Sequence, residues 1–139
     1  MREILFRGKR VDNDEWVFGS FCMDALELKN GPCGVDGFIR LYDFADRRMQ
    51  TYEVDRETVG QYVGKTDRTG GRIFDGDICR FLNDDGEYTD SLVYWDDTQS
   101  QWRIRAVEYR DTDELDAFYG ERCEIIGNQW DNPELLEVK

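Results

Sequence analysis

The sequence predicts a mainly β protein built as a barrel or roll, and three observations carry that prediction. The chain of 139 residues holds 4 Trp, 7 Tyr and 8 Phe, and aromatic side chains fit a pleated, half-buried surface. Apolar and polar residues alternate over short runs, the signature of strands with one buried face. Glycine and aspartate punctuate those runs at close spacing, which lets a chain reverse direction between the strands of a small barrel. By length the chain is one domain, or one domain with a small appendage. A chain of this size removes roughly two-thirds of its unfolded surface from water, enough for a sizeable core.

Taken in order, Glu3–Lys9 and Glu15–Phe21 read as a hairpin, with Ile4, Phe6, Trp16 and Phe18 at alternating positions. The polar stretch 10–14, with Asn13 and two aspartates, supplies the turn. Residues 29–37 contain three glycines and Pro32, which excludes a regular element and predicts an exposed loop. Strands follow at Phe38–Tyr42 and Met49–Val54 around a polar turn. Gly70-Gly71 suits a tight turn, and Asp75-Gly76-Asp77 a second one before an apolar strand Ile78–Leu82. Leu92–Trp95 and Trp102–Ala106 form a hairpin with a longer loop. Acidic residues 111–119 are expected to include a turn of helix. Glu124–Gly127 is the last strand, and Asn132 is expected to cap a short helical turn that opens on Pro133. Phe6, Trp16, Phe18, Tyr62, Ile78, Val93, Trp95, Ile104 and Ile126 are the expected core residues.

The net charge of −13 is uneven: residues 1–60 carry nine basic and twelve acidic side chains, residues 61–139 nine and nineteen. Such a field repels phosphate backbones, so direct nucleic-acid binding is not expected. It suits a solvated surface, or an acidic face that docks on a basic partner in imitation of nucleic acid. No apolar run approaches the ~18 residues of a membrane span. The start of the chain is too short in apolar residues and too charged for a secretory signal. A soluble, cytoplasmic protein without membrane association is expected. Cys22, Cys33, Cys79 and Cys123 show no C-x-x-C spacing, so neither a zinc site nor a redox motif is indicated. Buried free thiols are the expected state, and a Cys22–Cys33 clamp across the first loop is the alternative.

The chain has no histidine, which removes the commonest general base and nitrogen ligand and rules out Ser-His-Asp and Cys-His catalysis. Gly64-Lys65-Thr66 lacks the upstream glycine of a phosphate loop. Two carboxylate groups, Asp75 with Asp77 and Asp84, Asp85, Glu87 with Asp90, could in principle act as a catalytic pair or as oxygen ligands for Ca²⁺ or Mg²⁺. Neither has the order of a calcium loop. Acceptors for backbone N–H groups in tight turns are the preferred reading. Trp95 and Trp102 could stack bases or grip a proline-rich peptide, with Arg103 and Arg105 nearby; a cross-strand core pair is preferred. No catalytic, cofactor-binding or metal-binding residue is assigned, and no cofactor and no enzymatic activity are expected.

Three blocks carry a family resemblance. They are Arg2–Lys9 followed by Trp16-Val17-Phe18-Gly19; Gly60-Gln61-Tyr62-Val63-Gly64 through Asp67, Gly70 and Ile73-Phe74-Asp75-Gly76-Asp77-Ile78; and Ile125-Ile126-Gly127-Asn128 through Asn132-Pro133-Glu134-Leu135. Together they resemble the YopX family of small phage and prophage proteins over nearly the whole chain. The second block is the most specific, with Asp75 where members often have glutamate. Residues 107–122 match no part of the pattern, nor does the 29–37 loop. The resemblance implies a β-rich N-terminal part, residues 1–55, and an SH3-like barrel, residues 56–139, with the main barrel over 60–130. It implies no established activity and no catalytic residues. The expected function is that of a phage or prophage accessory protein acting as a protein-interaction or self-assembling module, by analogy a homo-oligomer. The alternative is an acidic inhibitor that mimics nucleic acid on a host or phage protein.

Overall fold

A computed structural model of the chain describes residues 2–22, 37–109 and 111–138. The chain divides into two compact units, Met1–Gln61 and Tyr62–Lys139. No helix among the described residues is long and apolar enough to cross a membrane.

In the first unit, β1 (Phe6–Arg10), β2 (Trp16–Cys22), β3 (Gly37–Asp43) and β4, which begins at Arg48 and runs to Thr66, pair antiparallel in chain order. β1 also pairs with β4, so the four strands form a ring. The ring closes unevenly. Arg7 lies opposite Gly60 but Lys9 lies opposite Asp55, so extra residues of β4 bulge out between the two contacts. Thr58 holds the bulge: its Oγ1 accepts from the Lys9 N–H at 2.9 Å and donates to the Asp55 carbonyl at 2.6 Å. Ile39 and Val54 are fully buried. Space inside is so short that a Cβ on Gly8 would meet the Val54 side chain at 3.0 Å.

That narrow interior explains a correction. Phe18, expected in the core, is 45% exposed. It lies opposite Arg7 in the register, and directly opposed residues share a face. Trp16 and Lys9 are on that same outer face, where Arg7 and Lys9 lie 4.7 and 5.7 Å from the Trp16 ring centre. The inward positions of β2 belong to Val17, Gly19 and Phe21 instead, and Phe21 packs on Phe6 with ring centres 5.9 Å apart. Of the expected loop 29–37, only Gly37 is described; it is buried at the start of β3, where a Cβ would strike the Phe21 ring. The rest of that loop lies outside the described residues, as does Cys33 and with it the Cys22–Cys33 clamp. Cys22, Cys79 and Cys123 are free thiols.

In the second unit the end of β4 pairs with β5 (Arg72–Phe74). A five-stranded antiparallel sheet follows in the order β10 (Cys123–Asn128), β6 (Asp77–Leu82), β7 (Tyr88–Asp96), β8 (Gln101–Ala106) and β9 (Thr112–Glu114). Helix α1 (Ala117–Arg122) precedes β10. Asp116 caps it: its carboxylate accepts from the Tyr119 N–H at 2.8 Å. Val63, Ile73, Cys79, Val93, Ile104 and Cys123 come from six strands and meet in one core with Leu115 and Tyr119. The chain is mainly β, as the sequence predicts, in two antiparallel sheets, of which that of the first unit closes into an uneven ring.

Ile78, Val93 and Ile104 are buried as expected, and Phe6, Trp16, Tyr62 and Ile126 are partly buried. Trp95 is not a core residue: it is 42% exposed. Its parity with Val93 puts it on the inner face, but it stands one residue before the end of β7, where the sheet runs out into the turn. Asn132 does not cap the 3-10 helix Pro133–Leu136 with its side chain. Its Oδ1 turns back to accept from the Asn128 N–H at 3.2 Å.

Candidate functional site

Of the carboxylates singled out in the sequence, Asp77, Asp85 and Asp90 hold turns and strands. Asp77 is fully buried, and its Oδ2 accepts from the Phe74 N–H at 2.8 Å, bracing the Asp75-Gly76 turn. Gly76 has φ +89°, a conformation open to glycine at little cost. Asp67 is 6% exposed. Its Oδ1 accepts from Thr69 N–H, Thr69 Oγ1 and Gly71 N–H at 2.9, 2.8 and 2.8 Å, and its Oδ2 from Ile125 N–H at 3.0 Å. Burial opposes ionisation of Asp67, but the hydrogen bonds, led by Ile125, outweigh it and hold the carboxyl below its usual range. The Asp67 role was missed in the sequence, where only the glycines of that turn drew notice; the spacing Asp67 to Gly70 was the available signal.

The 84–90 group divides in the same way. Asp85 Oδ1 accepts from the Glu87 N–H at 2.9 Å. Asp90 is bound by both the Nε and Nη2 of Arg80 at 2.9 and 3.0 Å. Asp84 is exposed and 3.4 Å from Arg122. Among the described residues no three His, Cys, Asp or Glu side chains gather as a metal site. Trp95 and Trp102 are a cross-strand pair, ring centres 5.0 Å apart and edge-to-face. Arg103 is drawn toward Asp96 at 3.6 Å and Gln101 at 2.9 Å, and Arg105 lies 5.8 Å from the Tyr94 ring centre.

Two surface features stand out among the described residues. The first is the tip of the β3–β4 hairpin in the N-terminal unit. Tyr42 lies opposite Met49, the Tyr42 and Phe44 rings meet edge-to-face at 4.8 Å, and Phe44 is 83% exposed. Asp43 shapes the turn by accepting from the N–H groups of Ala45 and Asp46 at 2.9 and 3.2 Å. The second is a cavity of about 400 Å³ in the C-terminal unit. Phe81, Ser91, Ile104 and Tyr119 line its inner part, and Tyr109, Asp111, Asp113, Glu114 and Asp116 surround it further out. The Phe81 and Tyr119 rings stack at 5.5 Å. Burial pushes the Tyr119 hydroxyl well above the usual phenol range. Ser91 is near enough to favour the phenolate a little, yet no partner meets the hydroxyl at bonding geometry among the described residues.

In three dimensions the chain is similar to a solved protein. That structure, described as the crystal structure of protein EF1440 from Enterococcus faecalis, is 18% identical, with a TM-score of 0.57 over 99% of this chain and 100% of that one. The likeness extends to the fold alone. No curated protein matches the chain in sequence. The profile of one family, described as YopX protein, matches residues 6–137. That span takes in the second and third sequence blocks whole, the first from Phe6 onward, and every turn just described, and the chain therefore belongs to the YopX family.

Proposed function

We propose that this chain is a phage or prophage accessory protein of the bacterial cytoplasm that works without catalysis, as a protein-interaction module that assembles with copies of itself. The observation that carries this reading is the Tyr42–Phe44–Met49 tip. Large apolar side chains grouped in the open mark contact surfaces. The occupant best suited to the tip is a second copy. Asp43 and Asp46 stand beside Arg47 and Arg48, so the tip is locally neutral in a chain of net charge −13. In a two-fold contact each copy would set its arginines against the other's aspartates. Support for a non-catalytic role comes from Asp67, both of whose oxygens accept from backbone N–H groups, and from Asp77, whose Oδ2 does.

The nucleic-acid mimic is the weaker reading. Asp84, Asp85 and Glu87 sit in the β6–β7 turn, and Asp96 and Asp97 in the β7–β8 turn. In an antiparallel meander those turns are at opposite ends of the sheet, which does not favour one continuous acidic face.

Light scattering across a concentration series tests the proposal. The parent chain is expected to associate, and Phe44→Ser combined with Tyr42→Ser is expected to shift it toward monomer with an unchanged melting temperature. A parent that stays monomeric at about 1 mM, well above the Kd of any useful assembly, would remove self-assembly. Association untouched by the tip variant would remove the tip.

A further inference from the structure

We propose that Met49 is a modification site: a peroxide converts its thioether to the sulfoxide, and a chain oxidised there no longer associates through the β3–β4 tip. The inference rests on the reading of that tip as the contact with a second copy, and adds the chemistry that switches the contact off.

The strand register puts this sulfur in the open. Along β4, Met49, Thr51 and Glu53 share one parity and are exposed, while Tyr52 and Val54 have the opposite parity and Val54 is fully buried. Thr51 and Glu53 suit water; Met49 is the apolar residue of that row. It is 49% exposed and lies directly opposite Tyr42, and directly opposed side chains on one face reach each other. Tyr42 in turn meets Phe44 edge-to-face. The Met49 side chain therefore belongs to the apolar surface of the tip and not to the packed interior of the ring.

Met49 also stands apart from the other sulfur atoms. Cys79 and Cys123 are fully buried and Cys22 is half-buried, so among the described residues Met49 is the most exposed sulfur-bearing side chain. A thioether reacts without losing a proton, and exposure governs its oxidation. The sulfur gives a lone pair to one oxygen of the peroxide, the O–O bond breaks, and an S–O bond forms as water or an alcohol leaves. Sulfur is oxidised by two electrons and the peroxide is reduced by two. Thiol-dependent reductases reverse the step, with a disulfide and water as products.

The oxidation changes the character of the side chain. A flexible apolar thioether, suited to aromatic neighbours, becomes a polar sulfoxide. On the open tip water solvates the new oxygen, so the folded monomer is unaffected. In the tip contact that oxygen has to give up its water, which weakens association.

Peptide mass mapping and light scattering together test this, in a Cys22→Ser, Cys33→Ser, Met23→Leu background treated with millimolar hydrogen peroxide and then quenched. Met49 is expected to gain one oxygen atom, several-fold faster in the Tyr42→Ser, Phe44→Ser variant than in the associated parent. The dissociation constant of the oxidised parent is expected to rise about tenfold or more with an unchanged melting temperature, and to return after treatment with methionine sulfoxide reductases and dithiothreitol. Met49→Leu is expected to associate alike before and after peroxide, and Met49→Gln to associate as weakly as the oxidised parent without it. An untreated chain that stays monomeric would remove the tip contact and this inference with it. An associating chain whose Met49 resists peroxide, whose oxidised form still associates, or whose Met49→Leu form loses association in the same treatment would overturn this inference alone and leave the tip contact standing.

Discussion

Asp67 and Ile125, 58 residues apart in sequence, are joined by a hydrogen bond of 3.0 Å from the Ile125 N–H to the Asp67 carboxylate. The contact sits where β10 passes the turn that follows β4. The neighbouring Arg68 N–H also donates to the Cys123 carbonyl, at 3.0 Å. One buried side chain therefore closes a local turn with one oxygen and anchors the last strand with the other. Asp67 belongs to the family block of the sequence, and in this chain its carboxylate serves the scaffold.

The pH dependence of stability should show this bond. The folded pKa of Asp67 is lowered, below an unfolded value near ~3.9. The ionised form is thus bound more tightly in the folded chain. Its stabilisation is fully present above the unfolded pKa and is lost as the pH falls through the folded one. Asp67→Asn keeps one acceptor oxygen for four donors, and is expected to cost about 1–3 kcal/mol at pH 7. Urea unfolding at pH 7, 5 and 3 checks it: the gap between parent and variant should narrow toward pH 3. A gap that stays constant would mean the carboxylate charge is not what the fold uses.

The cysteines offer a second measurement. Cys79 lies opposite Ile125 and Cys123 opposite Phe81 in the β6–β10 register, so both project from one face into the core, and both are fully buried. The hydrogen bond with Cys123, together with burial, pushes the Cys79 thiol up, and the Cys123 thiol is 3.6 Å from the Gly120 carbonyl. A thiol reacts as its thiolate and only where a reagent reaches it. In a Cys22→Ser, Cys33→Ser background, a water-soluble aromatic disulfide reagent at pH 8 is expected to find almost no thiol in the folded chain and two after urea is added. Rapid labelling of the folded chain would contradict the burial.

The strands were legible because alternation survives in them: Ile78, Val93 and Ile104 sit where the period of two puts them. The turns were legible because Asp-Gly and Gly-Gly steps carry their own chemistry. Phe18 and Trp95 were not, for two different reasons. Period alone does not say which face of a strand is inside, and in the small ring Gly8 and Gly19 take the inner positions that the large residues seemed to claim. At Trp95 the face was right, but the strand ends beyond the packed core. The cavity had no sequence signal of its own. The residues around it come from β6, β7, β8, β9, the loops beside them and α1, and only the folded unit brings them together.

Gly76 provides the last prediction, because two separate effects act there. Its φ of +89° strains any residue with a Cβ. A Cβ would in addition overlap the six-membered ring of Trp130, while the Gly76 N–H donates to the Val93 carbonyl at 2.9 Å and its carbonyl accepts from the Gln129 N–H at 2.9 Å. Those bonds leave the backbone little room to shift. Gly70 has nearly the same φ, +88°, but a Cβ there meets nothing within 4 Å. Gly70→Ala therefore measures backbone strain alone, expected near ~1 kcal/mol. Gly76→Ala adds the displacement of Trp130 and is expected to cost about 1–3 kcal/mol more, with Gly76→Val more damaging still. Asp77→Asn keeps an acceptor for the Phe74 N–H and is expected to cost less than Gly76→Ala. Thermal melts of the four variants decide the matter. Equal losses at Gly70 and Gly76 would show that Trp130 yields freely, and a Gly76→Val chain that melts like the parent would refute the structural role of the turn.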